Sequence, residues 1–183
     1  MKFYLILFYL LFISIICPLS HASDFTAHIH GEAELMIAID KNVVEIELIA
    51  PAASILGFEH QATTEQEIKR VNEAKKLLKR QANIIQFSES TCESHHAEID
   101  TGELLVNGHH HHEKNSHEHS HSISHFEIAV HMAMECQRGE ALGAVSIKLF
   151  QHFAGLERIR LLWATSTEQG SVILTPQNSE ISF

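Results

Sequence analysis

The sequence predicts an α+β domain: mainly antiparallel β-sheet, one substantial helix, and a disordered histidine-rich loop inserted between two strands. Three observations predict it. Residues 25–50 alternate apolar and polar side chains with period 2. Residues 64–81 open on a helix-capping signature and switch to helical spacing. A second sharp alternation, residues 124–136, follows HHHHEKNSHEHSHSISH, His109 to His125, in which eight of 17 residues are histidine.

Phe25 to Asp40 puts Phe25, Ala27, Ile29, Gly31, Ala33, Leu35, Ile37 and Ile39 on one face, with His28, His30, Glu32 and Glu34 on the other. That is the pattern of a half-buried strand. Lys41-Asn42 predicts a tight turn, and Val44, Ile46 and Leu48 continue the alternation to Ala50, so the two strands form an antiparallel hairpin. Pro51 stops the second strand because it cannot donate to a ladder. Ser54 to His60 is a turn or short helix. Thr64 and Glu67 make a capping box, and Ile68, Val71, Leu77 and Leu78 stripe a helix reaching about Gln81. Its acidic start and its Lys75, Lys76, Lys79 and Arg80 end suit the helix dipole. Strands are expected at 84–88, 92–106, 124–136, 145–150, 159–165 and 172–175, about eight in all.

The chain opens with Lys2, an apolar run from Phe3 to Ile16, and the small-x-small triplet Ser20-His21-Ala22. This predicts a cleaved secretory signal peptide, residues 1–22, and hence export to an oxidising compartment. Ile16 is too bulky for the usual lipobox before Cys17, so no lipid or membrane anchor is expected. Residues 23–183 then form a single metal-binding α+β domain with a histidine-rich insert at 107–123. Without Lys2, 12 basic residues stand against 23 acidic ones, a net charge of −11 with histidine neutral. That balance argues against nucleic acid and anionic lipid as partners and favours cations. Cys92 and Cys136, an even pair in an oxidising compartment, are expected to form a disulfide whose loop contains the whole insert. Closing about 45 residues stabilises by roughly 4 kcal/mol in the chain-entropy account. Two zinc-binding thiolates are the rival reading.

Histidine is the commonest protein ligand for zinc, copper and nickel, and dense histidine tracts mark metal binding. Within the tract, His109, His110, His111, His112, His117, His119, His121 and His125 supply a pool of donors. A flexible loop loses ordering entropy on binding, so these should bind several ions more weakly than a preformed site. Geometry nominates His28 and His30 instead. Alternate strand residues share a face at roughly 6.5–7 Å, so both imidazoles can converge on one ion. Glu32 adds a carboxylate on that face, and Glu59 with His60 would complete the set. His131 is expected to be an ordinary surface histidine and His152 a packing residue. Imidazole with carboxylate suits zinc, and also copper(II) and nickel(II).

No G-x-S-x-G, H-E-x-x-H or phosphate-binding glycine loop is present, so the expected function is binding, not catalysis. A hydrolytic metal site with an open position is the enzymatic alternative. An interaction domain with incidental histidines is the third.

HIHGEAEL (His28 to Leu35), APAASILGFEH (Ala50 to His60), the cysteine-bracketed histidine insert, LFQHFAG (Leu149 to Gly155) and LTPQN (Leu174 to Asn178) together resemble the ZrgA-like periplasmic zinc-binding proteins. The resemblance spans essentially the whole chain after the leader. It implies zinc as the bound metal, a zinc transporter component as partner, and His28, His30, Glu59 and His60 as motif positions. It implies an accessory role in zinc acquisition; a buffer against excess zinc, copper or nickel is the alternative. The chain departs from the family where Gln61-Ala62-Thr63 replaces an early proline, where Ala154 replaces proline, and where Met132 and Met134 replace aromatics.

Overall fold

The computed structural model describes residues 29–105, 126–137 and 142–182. The leader, His28 and the insert lie outside the described residues, and with them the expectations about cleavage and loop character. What is described is the expected α+β architecture. Strands β1 (Glu32–Asp40) and β2 (Val43–Pro51) form the hairpin, with Leu35 opposite Leu48 and Ile37 opposite Ile46. Lys41 turns it with φ 54°. The remaining strands are β3 (Ile85–Phe87), β4 (Cys92–Asp100), β5 (Glu127–Cys136), β6 (Ala144–Ile147), β7 (Arg158–Ala164), β8 (Gln169–Leu174) and β9 (Glu180–Ser182).

Six strands make one sheet in the order β4-β5-β2-β1-β7-β8, and β3-β6-β9 make a second. The large sheet is antiparallel except where β1 and β7 run parallel. Period-2 burial decides which face points inward: Ala33, Leu35, Ile37 and Ile39 are buried, as are Val44, Ile46, Leu48 and Ala50 opposite them. The core between the sheets is completed by Ile85, Val145 and Ile147 and by helix α2 (Glu65–Leu78), through Val71, Ala74 and Leu78. Short helices α1 (Ala52–Leu56) and α3 (Leu149–His152) close the ends of strands. Among the described residues, no helix is long and apolar enough to cross a membrane.

Boundaries moved where short apolar runs carried no period. The strand expected at 145–150 ends at Ile147, and Leu149–His152 is helical, with the Phe153 N–H donating to the Leu149 carbonyl. His152 there is exposed and only meets Phe153 edge-on, so it is not a packing residue. α2 ends at Leu78, and a 3₁₀ turn occupies Gln81–Asn83. The strand beginning at Cys92 ends at Asp100. Pro51 is the last residue of β2 and caps α1, a place where its missing N–H costs nothing. β9 had no sequence signal.

Cys92 and Cys136 form the expected disulfide, and they are direct register partners. They join the start of β4 to the end of β5. The insert joins the other ends of the same strands. The disulfide is therefore not the neck of the insert; it closes the hairpin roughly 30 Å away, the length of β5. The neck is held otherwise: Ala62 N–H donates to the Leu104 carbonyl and Ala52 N–H to the Phe126 carbonyl.

Cys92→Ser/Cys136→Ser is expected to lower unfolding free energy by about 2–4 kcal/mol in urea titrations. Zinc stoichiometry measured on the folded variant should not change, because the bond lies at the end of the sheet away from the insert.

Candidate metal centre

The chain folds tightly just before β1. Glu32 N–H donates to the Ile29 carbonyl at 3.0 Å, so His30 and Gly31 form a turn and not strand. Gly31 has φ 81°, a left-handed conformation that glycine adopts without strain. Its N–H donates to the Ser54 hydroxyl of α1 at 3.0 Å, and its carbonyl accepts from Glu157 and Arg158 at the start of β7. A Cβ on Gly31 would press on the Glu157 side chain at 3.1 Å. The turn is thus clamped on both sides, and His30 projects from it. The strand spacing expected to put His30 and Glu32 on one face does not apply across this turn, and His28 lies outside the described residues. Glu32 is committed elsewhere, to Arg158 at 3.2 Å and Arg160 at 3.7 Å.

The second arm of the site arrives from α1. Gly57, with φ 81°, caps α1 in the left-handed region. Arg70 of α2 donates to the Leu56 carbonyl at 3.0 Å and pins that corner. Gly155 packs so close to α1 that a Cβ there would lie 2.5 Å from the Ser54 carbonyl oxygen. This accounts for glycine in LFQHFAG. The chain then presents Phe58, Glu59 and His60, with the Phe58 and His60 rings stacked at 4.9 Å.

Here the two arms meet. His30 Nε2 lies 2.9 Å from Glu59 Oε2. An ionised carboxylate only accepts, so Nε2–H donates and Nδ1 is left with a lone pair. His60 Nδ1–H donates to the Gln61 carbonyl at 3.0 Å, which leaves the Nε2 lone pair outward. That lone pair stands 3.6 Å from Glu67 Oε1. Two acceptors facing each other favour a cation between them. In each histidine one nitrogen is oriented by an acceptor and the other is available, the arrangement in which imidazole ligates metals.

Glu67 was legible in the sequence only as a cap. Its Oε2 accepts from Thr63 N–H and Thr64 N–H, both at 3.0 Å, and its own N–H donates to Thr64 Oγ1. The Thr64 N–H first, then the Thr63 N–H, hold its pKa down from 4.5 to about 2, with a smaller push from His60. A capping box folds the N3 side chain back over the residues before the helix. That reach carries Glu67 to His60, and a 60/67 spacing alone does not show it.

His28 and the tract histidines, His109 to His112, His117, His119, His121 and His125, fall outside the described residues. Among the described residues, no three His, Cys, Asp or Glu side chains enclose an ion as they stand. The insert nonetheless leaves and re-enters the sheet at this end. Pro51 is opposite Glu127, and Ala62 is bonded to Leu104, one residue before the end of that described stretch.

A mixed-sheet α+β scaffold with histidine–carboxylate pairs at one end, beside the stems of a histidine-rich insert, has the character of a metal-handling protein. The chain belongs to the ZrgA family of zinc uptake proteins, whose model matches residues 27–183. No curated protein matches it. Membership makes zinc the associated metal and zinc uptake the process in which the chain takes part.

Two outcomes check this geometry. Gly31→Ala should destabilise by at least about 1 kcal/mol in urea titrations and weaken zinc binding, because the left-handed turn carries His30. Glu67 should stabilise the fold fully above about pH 4.5, and that contribution should vanish as pH falls towards 2. Glu67→Ala should flatten that part of the stability–pH curve.

Proposed function

We propose that the protein is a periplasmic accessory of zinc acquisition that captures Zn²⁺ and passes it to an uptake system, and that it is a binding protein and not an enzyme. The observation that carries the reading is the meeting of His30 with Glu59, beside His60 with Glu67, on two arms clamped to the scaffold. Ligands held on rigid elements bind with less ordering cost than ligands on a long loop. His28, two residues before His30, is the natural addition to the set, and a tract histidine could fill a remaining position.

In this reading the tract gathers ions and the scaffold site holds them. The stems of the insert support the pairing of roles, because Leu104 is bonded to the chain two residues from His60. A site that must release its cargo benefits from partial exposure, and the His30 and His60 side chains are 72% and 57% exposed. Transfer to a partner by ligand exchange needs that access. The apparent −11 charge after leader removal draws cations toward the molecule.

Zinc titration by calorimetry tests the reading. His28→Ala/His30→Ala/His60→Ala should lose the tightest binding event while keeping weaker ones, and deletion of 109–121 should do the reverse. If deleting the tract abolished all tight binding, the scaffold-site reading would be overturned. Affinity of the intact chain should fall below about pH 6, as imidazoles protonate. In cells, a deletion strain should grow poorly under zinc chelation; sensitivity only to added metal would favour a buffering role instead.

A further inference from the structure

The outer face of the large sheet carries a second set of metal-type donors. On β5, His131 points outward and is the register partner of Glu47 on β2 and of Glu98 on β4. Its Nε2 stands 3.8 Å from Glu47 Oε1. On β4, His96 shares the outward face with Glu98 two residues on, and its Nε2 stands 3.8 Å from Glu98 Oε2. His96 is opposite Ala133, which makes it the diagonal neighbour of His131. Diagonal neighbours on one sheet face are roughly 7–8 Å apart at Cα and closer at Cβ, within the reach of two imidazoles on one ion. His96, His131, Glu45 and Glu47 line one side of an open trough of about 900 Å³ on this face.

The electrostatics of the strip give an independent reason to expect a cation. Outward positions of β2, β4 and β5 include Glu45, Glu47, Glu93, Glu98, Asp100 and Glu135, and no lysine or arginine among the described residues. Glu93 and Glu135 are direct cross-strand partners, a like-charge pairing that destabilises a sheet. Arg158 and Arg160, across the sheet on β7, are engaged by Glu32. A divalent ion held on this face would offset the carboxylate charge.

We propose that His96 and His131, with Glu47 and Glu98, form a second divalent-metal site of the zinc type on the outer face of the sheet. Two imidazoles and two carboxylates match the four-coordinate N/O sets that zinc accepts. As they stand the four side chains are open, with imidazole–carboxylate separations of 3.8 Å; rotation about exposed side-chain bonds closes them on an ion. The site is separate from the one at His30. Met36, the β1 neighbour of Glu47, lies four residues along from Glu32, roughly 13 Å down the strand and beyond the turn that carries His30.

The test is calorimetric titration of zinc chloride into the full chain and three variants. His96→Ala/His131→Ala is expected to bind one equivalent fewer, and His30→Ala/His60→Ala to keep that equivalent. Glu47→Gln/Glu98→Gln, which preserves side-chain size, should weaken the same equivalent more than tenfold and reads it even if the alanine pair costs the fold. Unchanged stoichiometry in the His96/His131 variant, or unchanged affinity in the glutamine variant, would overturn the proposal.

Discussion

Burial of Ala33, Leu35, Ile37 and Ile39 holds β1 between β2 and β7, and the placing of the metal-type side chains depends on that register. A shift by one residue would expose all four and turn Glu32, Glu34 and Met36 into the core. Fully burying one such larger aliphatic side chain is worth about 1.5–3 kcal/mol, so the register is strongly specified. The same register starts β7 beside Gly31, where two N–H groups donate to one carbonyl. It also brings the Ser54 hydroxyl of α1 to the Gly31 N–H. The turn that presents His30 is therefore a consequence of core packing, although His30 itself is exposed.

Helix capping does two jobs in this molecule. The Glu67 carboxylate satisfies N–H groups ahead of α2, and this keeps it ionised far into acid. Its second oxygen then lies beside His60. An element that serves local helix chemistry thus adds a fixed negative charge next to the histidine pair. The charge of the sheet's outer face is of another kind. There carboxylates are repeated across β2, β4 and β5, which carry no lysine or arginine among their described residues, and that is costly unless ions are present. Zinc uptake, the process shared by the family, is consistent with a surface so arranged.

Much of the scaffold was legible because period-2 burial is a strong signal. The hairpin of β1 and β2, the inward set of β5 and the Thr64–Glu67 cap all stand as the alternation and capping pattern indicate. Less was legible where the signal was only apolar content. Leu149-Phe150 suits either strand or helix, and the i→i+4 bond from Phe153 decided for helix. Near the metal site the alternation misled, because Ile29, His30 and Gly31 continue the sequence pattern of β1 while the backbone turns. Gly31 carried the warning, since an isolated glycine in a strand pattern often marks a break.

The sequence by itself determined the α+β class, the inward faces of the main strands, the cysteine pair and a strong bias toward imidazole ligands, because these rest on composition and short-range period. Tertiary structure decided which histidines meet which carboxylates. His30 with Glu59, His60 with Glu67, and His131 between Glu47 and Glu98 are each set by strand register, by a left-handed glycine or by a cap folding back. It also decided that the disulfide and the insert sit at opposite ends of one hairpin. Spacing along the chain does not encode such meetings, because a hydrogen-bonded ladder joins residues far apart in sequence and only the packed core selects its register.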